Sequence, residues 1–231
     1  MTIKILAHLI FFMTLFGSAV AQVKWDIKAG INYSNISAKD QDGNKANTSS
    51  VPGIYLGMGV ALPLSSQFSV HPSLIYAKRG FKQHGPASHL VWGEDFEGKV
   101  SYFELPVDLL YSQKIGPGNL LLAVGPYLGY GTGGSWTSKG TVLIGDILIE
   151  GSGDVAFQND YSYGRDMNTI VYARPWDYGA HCKIGYSLFN HYTISLDIQR
   201  GLANLQPRWA DYRPGGTLRN RSMGVSIGYS F

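Results

Sequence analysis

Apolar residues alternate with small or charged ones through most of the chain after residue 22, and this period of two constrains the fold more than any other feature. Successive side chains of a strand point to opposite faces, so each such run has one apolar face and one polar or tiny one. In residues 23–34, Trp25, Ile27, Ala29, Ile31 and Tyr33 alternate with Lys24, Asp26, Lys28, Gly30 and Asn32. The pattern recurs over residues 53–62, 67–80, 100–113, 120–130, 177–186, 191–199 and 222–231. Each run has about 10–14 residues, a suitable length for a tilted strand crossing a bilayer.

Alternation alone also fits a soluble sandwich, so the connections have to discriminate. The odd-numbered ones are long (about 35–52, 82–98, 133–173 and 202–218), while the even-numbered ones are short, as in Pro63-Leu64-Ser65-Ser66 and Ile115-Gly116-Pro117-Gly118. An up-and-down barrel places all odd connections at one rim and all even ones at the other, the arrangement of outer-membrane barrels. Greek-key crossings give no reason for such sorting. The composition agrees. Charged residues make up 15%, against about 25% in soluble domains, and no segment after residue 21 has the roughly 20 consecutive apolar residues of a membrane helix. Glycines number 29 and tyrosines 15, with aromatics near strand ends (Trp25, Tyr111, Tyr130, Trp176, Tyr192, Tyr229) where an interfacial girdle belongs. An open sheet edge in lipid would leave backbone groups unpaired, so closure is expected. The predicted fold is all-β: an eight-stranded antiparallel up-and-down transmembrane β-barrel with long outer loops.

Residues 1–21 read as a cleavable signal peptide. Lys4 supplies the positive n-region, Ile5 to Phe16 the apolar stretch and Ala19-Val20-Ala21 the small-x-small box, so cleavage falls near Ala21/Gln22. Residues 22–231 then form the barrel, bound for a bacterial outer membrane, with its lipid and the barrel-insertion machinery as partners. Removing Lys4 leaves 18 basic residues (19 less one) against 16 acidic ones, too small and scattered an excess for a nucleic-acid partner. The single cysteine, Cys182, excludes an internal disulfide framework and any multi-cysteine metal site.

The chain resembles the PorT-like outer-membrane β-barrel proteins of Bacteroidetes. The resemblance is carried by GIYLGMGVALPLSSQFSVHPSLIYAKRGFK (Gly53 to Lys82), SYFELPVDLLYS (Ser101 to Ser112), VGPYLGYG (Val124 to Gly131), YGAHCKIGYSL, DIQRGLANL and the closing SMGVSIGYSF. It implies the same barrel and location, and an association of the name-giving member with protein secretion. Phe231, two residues after Tyr229, looks like the signal read by the insertion machinery. The third long loop, 133–173, is longer than the family pattern.

The inward face is expected to carry Lys24, Asp26, Lys28, His71, Arg79, Glu104, Asp108, Asp177, His181, Lys183 and Asp197, and His191 as well. Eight strands leave an interior just wide enough for side chains to fill, and buried charges persist only when paired. A plug of salt bridges is the plain reading, and a general acid/base pair from Glu104 or Asp108 with a histidine is the sharper one. No catalytic residue, metal ligand or cofactor is assigned. His84 and His89 with Glu94, Asp95 and Glu97 match no ligand spacing, and Gly131-Thr132-Gly133-Gly134 lacks the Lys-Ser/Thr of a phosphate loop and reads as a flexible strand exit. Cys182 is expected to face lipid.

Thr141 to Glu150, TVLIGDILIE, reads as a hairpin that extends the wall or folds over the mouth, as a partner-binding edge, or, with 136–158, as two further membrane strands. The Arg- and aromatic-rich 159–174 and Arg208, Trp209, Asp211, Tyr212, Arg213 and Arg219 have the composition of recognition loops. Three functions follow. The first is a non-enzymatic barrel presenting surface loops, with an interaction or accessory role in an envelope or secretion assembly and a possible protein partner at 133–173. The others are a small-solute channel and a lipid- or peptide-modifying enzyme.

Overall fold

A computed structural model of the chain describes residues 23–84, 95–139, 142–144, 147–149, 151–160, 168–208, 212 and 215–231. The segment read as a signal peptide lies outside them, as do His89, Glu94, Trp209, Asp211 and Arg213. Eight long strands make the barrel: β1 (Lys24–Lys39), β2 (Thr48–Pro63), β3 (Phe68–Gln83), β4 (Glu97–Ile115), β5 (Gly118–Thr137), and, after four short strands, β10 (Trp176–Leu188), β11 (Tyr192–Gly201) and β12 (Thr217–Ser230). Each pairs antiparallel with its neighbours, and β1 pairs with β12 from Asp26↔Ser230 to Lys39↔Thr217, which closes the sheet. Closure leaves no unpaired edge where the wall would meet lipid. The short strands are β6 (Val142–Ile144), β7 (Ile147–Ile149), β8 (Ser152–Phe157) and β9 (Thr169–Ala173).

The alternation does what the sequence requires of it. Outward residues such as Ile31, Leu56, Leu105, Val124, Ile194 and Val225 are exposed, while their strand neighbours turn inward. Two aromatic girdles bound this apolar band. Trp25 and Tyr33, Phe68 and Tyr76, and Phe103 and Tyr111 are eight residues apart, roughly 27 Å of strand at about 3.4 Å per residue. A tilt of about 40° reduces that to roughly 20 Å, somewhat less than the roughly 25 Å band of such barrels. Cross-strand register builds the girdle farther from the short turns: Tyr76 opposes Phe103, Phe103 opposes Tyr130, and Tyr130 opposes Trp176.

The strands run well past the expected 10–14 residues, and three sequence expectations change as a result. Beyond the far girdle, β1, β3, β4 and β5 each continue for six or seven residues, so the first connection is only 40–47 rather than 35–52. Gly131–Gly134 is part of β5 rather than a flexible exit. A bulge between Ser101↔Gly133 and Tyr102↔Gly131 occurs there, where Gly133 takes a φ of +149° that side chains rarely adopt. The wall is also extended by a different part of the third loop from the one expected. β6 and β7 form a separate two-stranded hairpin of three residues each, too short to cross a membrane. It is β8 that pairs with the top of β5 (Gly134↔Val155), with β9 parallel to β8. The wall then continues through Arg174 N–H to Leu205 O and Leu205 N–H to Leu218 O, both 2.8 Å. These elements close the upper wall between β5 and β12.

The interior of this upper half overturns the expectation of a small or charged inner face throughout. Ile36, Phe81, Val100, Tyr102, Trp136, Val155, Tyr172, Leu205 and Leu218 pack there as a buried apolar cluster. Six rings form a continuous chain across it. Trp136 stacks on Phe96 with centroids 6.0 Å apart, Phe96 meets Phe81, Phe81 meets Tyr172, Tyr172 meets Phe157, and Phe157 meets Tyr102 edge-on at 5.2 Å. Trp136 Nε1–H donates to Asn168 O at 3.0 Å, which satisfies its one polar atom.

Candidate functional site: a layered lumen

Inward positions of the lower half alternate along the strands, so polar groups from several strands meet at successive levels of the lumen. At the rim of short turns a cavity of about 700 Å³ opens between the hairpins, lined by Lys24, Asp26, Lys28, His71 and Lys183 among others. Lys24 is exposed at this mouth. Lys183 lines the cavity and forms no ion pair among the described residues. Asp26 Oδ2 lies 2.6 Å from His71 Nε2, and Ser73 Oγ lies 3.3 Å from His71 Nδ1. This acid–His–Ser order has the connectivity of a hydrolytic triad. Ser73, however, is buried and does not line the cavity, so it presents no nucleophile to anything entering from the rim.

The next layer is an ion-pair ladder. Lys28 Nζ sits 3.6 Å from Asp197 Oδ1, and His181 bridges Asp197 (Nε2, 3.3 Å) and Asp108 (Nδ1, 2.9 Å). Tyr55 O–H donates to Asp197 Oδ2 at 2.9 Å, and Ser195 and Ser226 also donate to that oxygen. Arg79 holds Glu104 with two parallel bonds, Nε to Oε1 at 2.6 Å and Nη2 to Oε2 at 2.8 Å, and donates to Gln199 as well. A planar fork on a carboxylate is the strongest of these arrangements. Above it, Tyr127 and Asn220 both donate to Asp177 Oδ2 at 2.9 Å, and Asn220 reaches the Tyr102 hydroxyl. That bond joins the polar layers to the aromatic cluster. A void of about 30 Å³ lies between Arg79, Glu104, His181 and Asp197.

Glycines on the inward face make these layers possible by leaving space. A Cβ at Gly30 would lie 2.6 Å from the Tyr55 ring, and one at Gly131 would lie 2.5 Å from Phe157.

The structure therefore joins Lys28, His181, Asp108 and Asp197 in one cluster, Arg79 and Glu104 in a second, and Asp26 with His71 in a third. It does not bring Glu104 to a histidine. The carboxylate is held by Arg79, so the acid/base pairing expected for it does not form. His191 is corrected outright: it is exposed on the short turn, with Nδ1 2.8 Å from Ser230 O and its ring stacked on Tyr229, because the β10–β11 turn still includes it and β11 begins only at Tyr192. Tyr55, Tyr127, Gln199 and Asn220 were not singled out as site residues. For the two tyrosines a signal was available, since Tyr55 lies between Gly53 and Gly57 and Tyr127 between Gly125 and Gly129 on the inward face; Gln199 and Asn220 carry no such mark.

Outside the band, His84 Nε2 lies 2.8 Å from Ser49 Oγ and its Nδ1 lies 3.8 Å from Asp95. Glu97 is shared by Lys82 at 3.1 Å and Lys99 at 3.0 Å. Burial raises the Glu97 carboxyl, but the two ammonium groups outweigh it and hold it below the usual carboxylate value. Cys182 is exposed on the outward face.

The sequence profile of the outer membrane protein beta-barrel domain matches residues 18–206. Similar solved structures include Ail, the attachment invasion locus protein of Yersinia pestis, at 13% identity and a TM-score of 0.41, covering 91% of this chain and 99% of that one. OprG of Pseudomonas aeruginosa is 10% identical with a TM-score of 0.43, covering 90% and 95%. Neisserial surface protein A is 8% identical with a TM-score of 0.42, covering 90% and 97%. No curated protein matches the chain.

Proposed function

The chain belongs to the outer membrane protein beta-barrel domain family, and from that membership we propose that it is a closed, non-enzymatic barrel that works through its outer surface as an interaction or accessory component of an envelope or secretion assembly. Its location is the outer membrane. Within that frame we assign the rim of short turns to the periplasm and the loop rim to the outside, with export by a signal peptide cleaved near Ala21/Gln22 and membership of the PorT-like group. Tyr229 and Phe231, packed edge-on at 5.2 Å at the end of the closing strand, are the proposed insertion signal.

The observation that carries this reading is the six-ring cluster across the upper lumen, set directly on filled polar layers. A conducting pore needs a water-filled path, and this interior is occupied by paired charges and packed rings. Catalysis needs an accessible reacting group, and Glu104 and Asp108 are each committed to a buried partner. What remains free to act is the loop rim, above all the β6–β7 hairpin, which stands apart from the barrel sheet.

Deleting residues 139–150 removes that hairpin while sparing β5, β8 and β9. The deletion barrel is expected to keep its heat-modifiable folded band and to lose an envelope protein that crosslinks to the parent in native outer membranes. Unchanged crosslinking would overturn the loop assignment. Steady conductance of the parent in planar bilayers would overturn the closed barrel.

A further inference from the structure

The outward face of β1, β11 and β12 changes character within one step of the far girdle. Tyr33, Met223 and Ile198 form a row across these three strands by direct register, and each is about half exposed. The next outward row is Arg221 and Arg200, with Arg221 opposite Asn35, whose buried side chain donates to Thr48 O, and Arg219 one step farther, opposite Ser37. Arg200 and Arg221 are thus directly opposed, a position that puts Cβ atoms about 5 Å apart and makes like charges repel. All three arginines are exposed, and none forms an ion pair among the described residues. They line a groove of about 780 Å³ together with Lys39, Tyr33 and Met223. On the β3–β4 side, by contrast, Lys82 and Lys99 are both paired with Glu97.

An uncompensated guanidinium cluster costs stability unless an anion joins it, and Arg binds phosphate with two parallel bonds. The cluster begins where the apolar band ends, which is the depth of lipid headgroups. We propose that this groove binds a phosphorylated lipid of the outer leaflet, with its phosphate held by Arg200, Arg219 and Arg221 and its acyl chains lying against Tyr33, Ile198 and Met223. This goes beyond the interaction role above and uses its orientation only to name the leaflet. The binding test in detergent does not depend on orientation, so the two readings fail separately.

The test uses the folded mature barrel in detergent, its thermal unfolding followed by the heat-modifiable band while bisphosphorylated lipid A, its dephosphorylated form or inorganic phosphate is titrated. Bisphosphorylated lipid A is expected to raise the unfolding midpoint far more than the other two. Arg200→Gln with Arg221→Gln is expected to weaken that binding by about tenfold per guanidinium, as hydrogen bonds to charged groups imply, and Lys78→Gln on the opposite wall is expected to leave it unchanged. If the double variant does not fold, Arg219→Gln alone serves, with a loss of about tenfold expected. Equal protection by the dephosphorylated lipid or by inorganic phosphate would overturn the proposal, as would an equal loss in Lys78→Gln.

Discussion

The two halves of this barrel share strands yet solve opposite solvation problems. Below the far girdle the outside is apolar and the inside polar, so Leu105 and Val107 face out while Glu104 and Asp108 face in. A few residues along the same strand, Val100 and Tyr102 turn inward into a packed core, and Lys99 points out to solvent with 65% of its side chain exposed. On β4 the inward face keeps its parity throughout, while the bulge in β5 shifts it by one residue so that Trp136 faces in above it as Tyr127 does below; along both strands the chemistry placed on the inward face is exchanged. Inside the band the surroundings are lipid, and the interior holds the groups lipid rejects. Above it the surroundings are water, and the interior becomes an ordinary hydrophobic core, completed by β8, β9 and Leu205 from the loops. The comparison teaches that long strands of this kind are a membrane barrel and a soluble barrel joined end to end.

The largest expected effect tests the upper half. Trp136→Ala removes a fully buried ring from the aromatic cluster and is expected to cost about 3–5 kcal/mol, read as a lower urea midpoint for loss of the folded band in lipid vesicles. An unchanged midpoint would mean that the upper cluster does not support the barrel.

In the lower half the corresponding probe is electrostatic. Glu104→Ala leaves Arg79 buried without its carboxylate and is expected to destabilise by about 3–5 kcal/mol, whereas the paired replacement Arg79→Met with Glu104→Leu recovers most of that loss. Recovery measured in the same urea titration separates a plug that fills space from one whose charges are individually required.

A single new charge distinguishes the two outer surfaces. Val107→Arg places a cation at the middle of the lipid-facing band and is expected to cost about 2–4 kcal/mol. Ser135→Arg, outward on the upper half of β5, is expected to stay within about 0.5 kcal/mol. Equal effects would erase the boundary between the halves.

The smallest effect is a pH dependence at the upper wall. Glu97 has a folded-state pKa below its ordinary value, so its contribution is present above the unfolded pKa and is lost as pH falls through the lowered folded value. The stability gap between the parent and Glu97→Gln is therefore expected to narrow below about pH 4. Added salt is expected to shrink it too, because Lys82 and Lys99 are 46% and 65% exposed. A gap that is flat with pH would remove the ion-pair triad from the account of the upper wall.

Much of the barrel was legible in the residues because the bilayer reads parity directly. Trp25, Ile27, Ile31 and Tyr33 on one face and Asp26, Lys28 and Asn32 on the other leave one orientation that lipid tolerates, and the sorting of short and long connections specified an up-and-down order. The inward-facing ionisable groups followed from the same parity. His191 did not, since a turn interrupts the parity within a residue of where the strand ends. The lengths of the strands were also hidden. Beyond Tyr33 or Tyr76 the surroundings change from lipid to water, and outward Ser37 or Lys82 then looks like loop composition although the ladder continues.

What the sequence by itself determined is strand number, facing and the polar identity of the lower lumen, because each depends only on local alternation against a fixed solvent. What only the tertiary structure decided is which inward groups meet. Arg79 with Glu104, His181 with Asp108 and Asp197, and the ring chain from Trp136 to Tyr102 join residues far apart in the chain, His181 and Asp108 by 73 positions. Their meeting depends on the register between strands, on the bulge in β5 and on the glycines that let Tyr55 and Phe157 lie across the lumen. Register is a property of pairs of strands, and no single strand carries it.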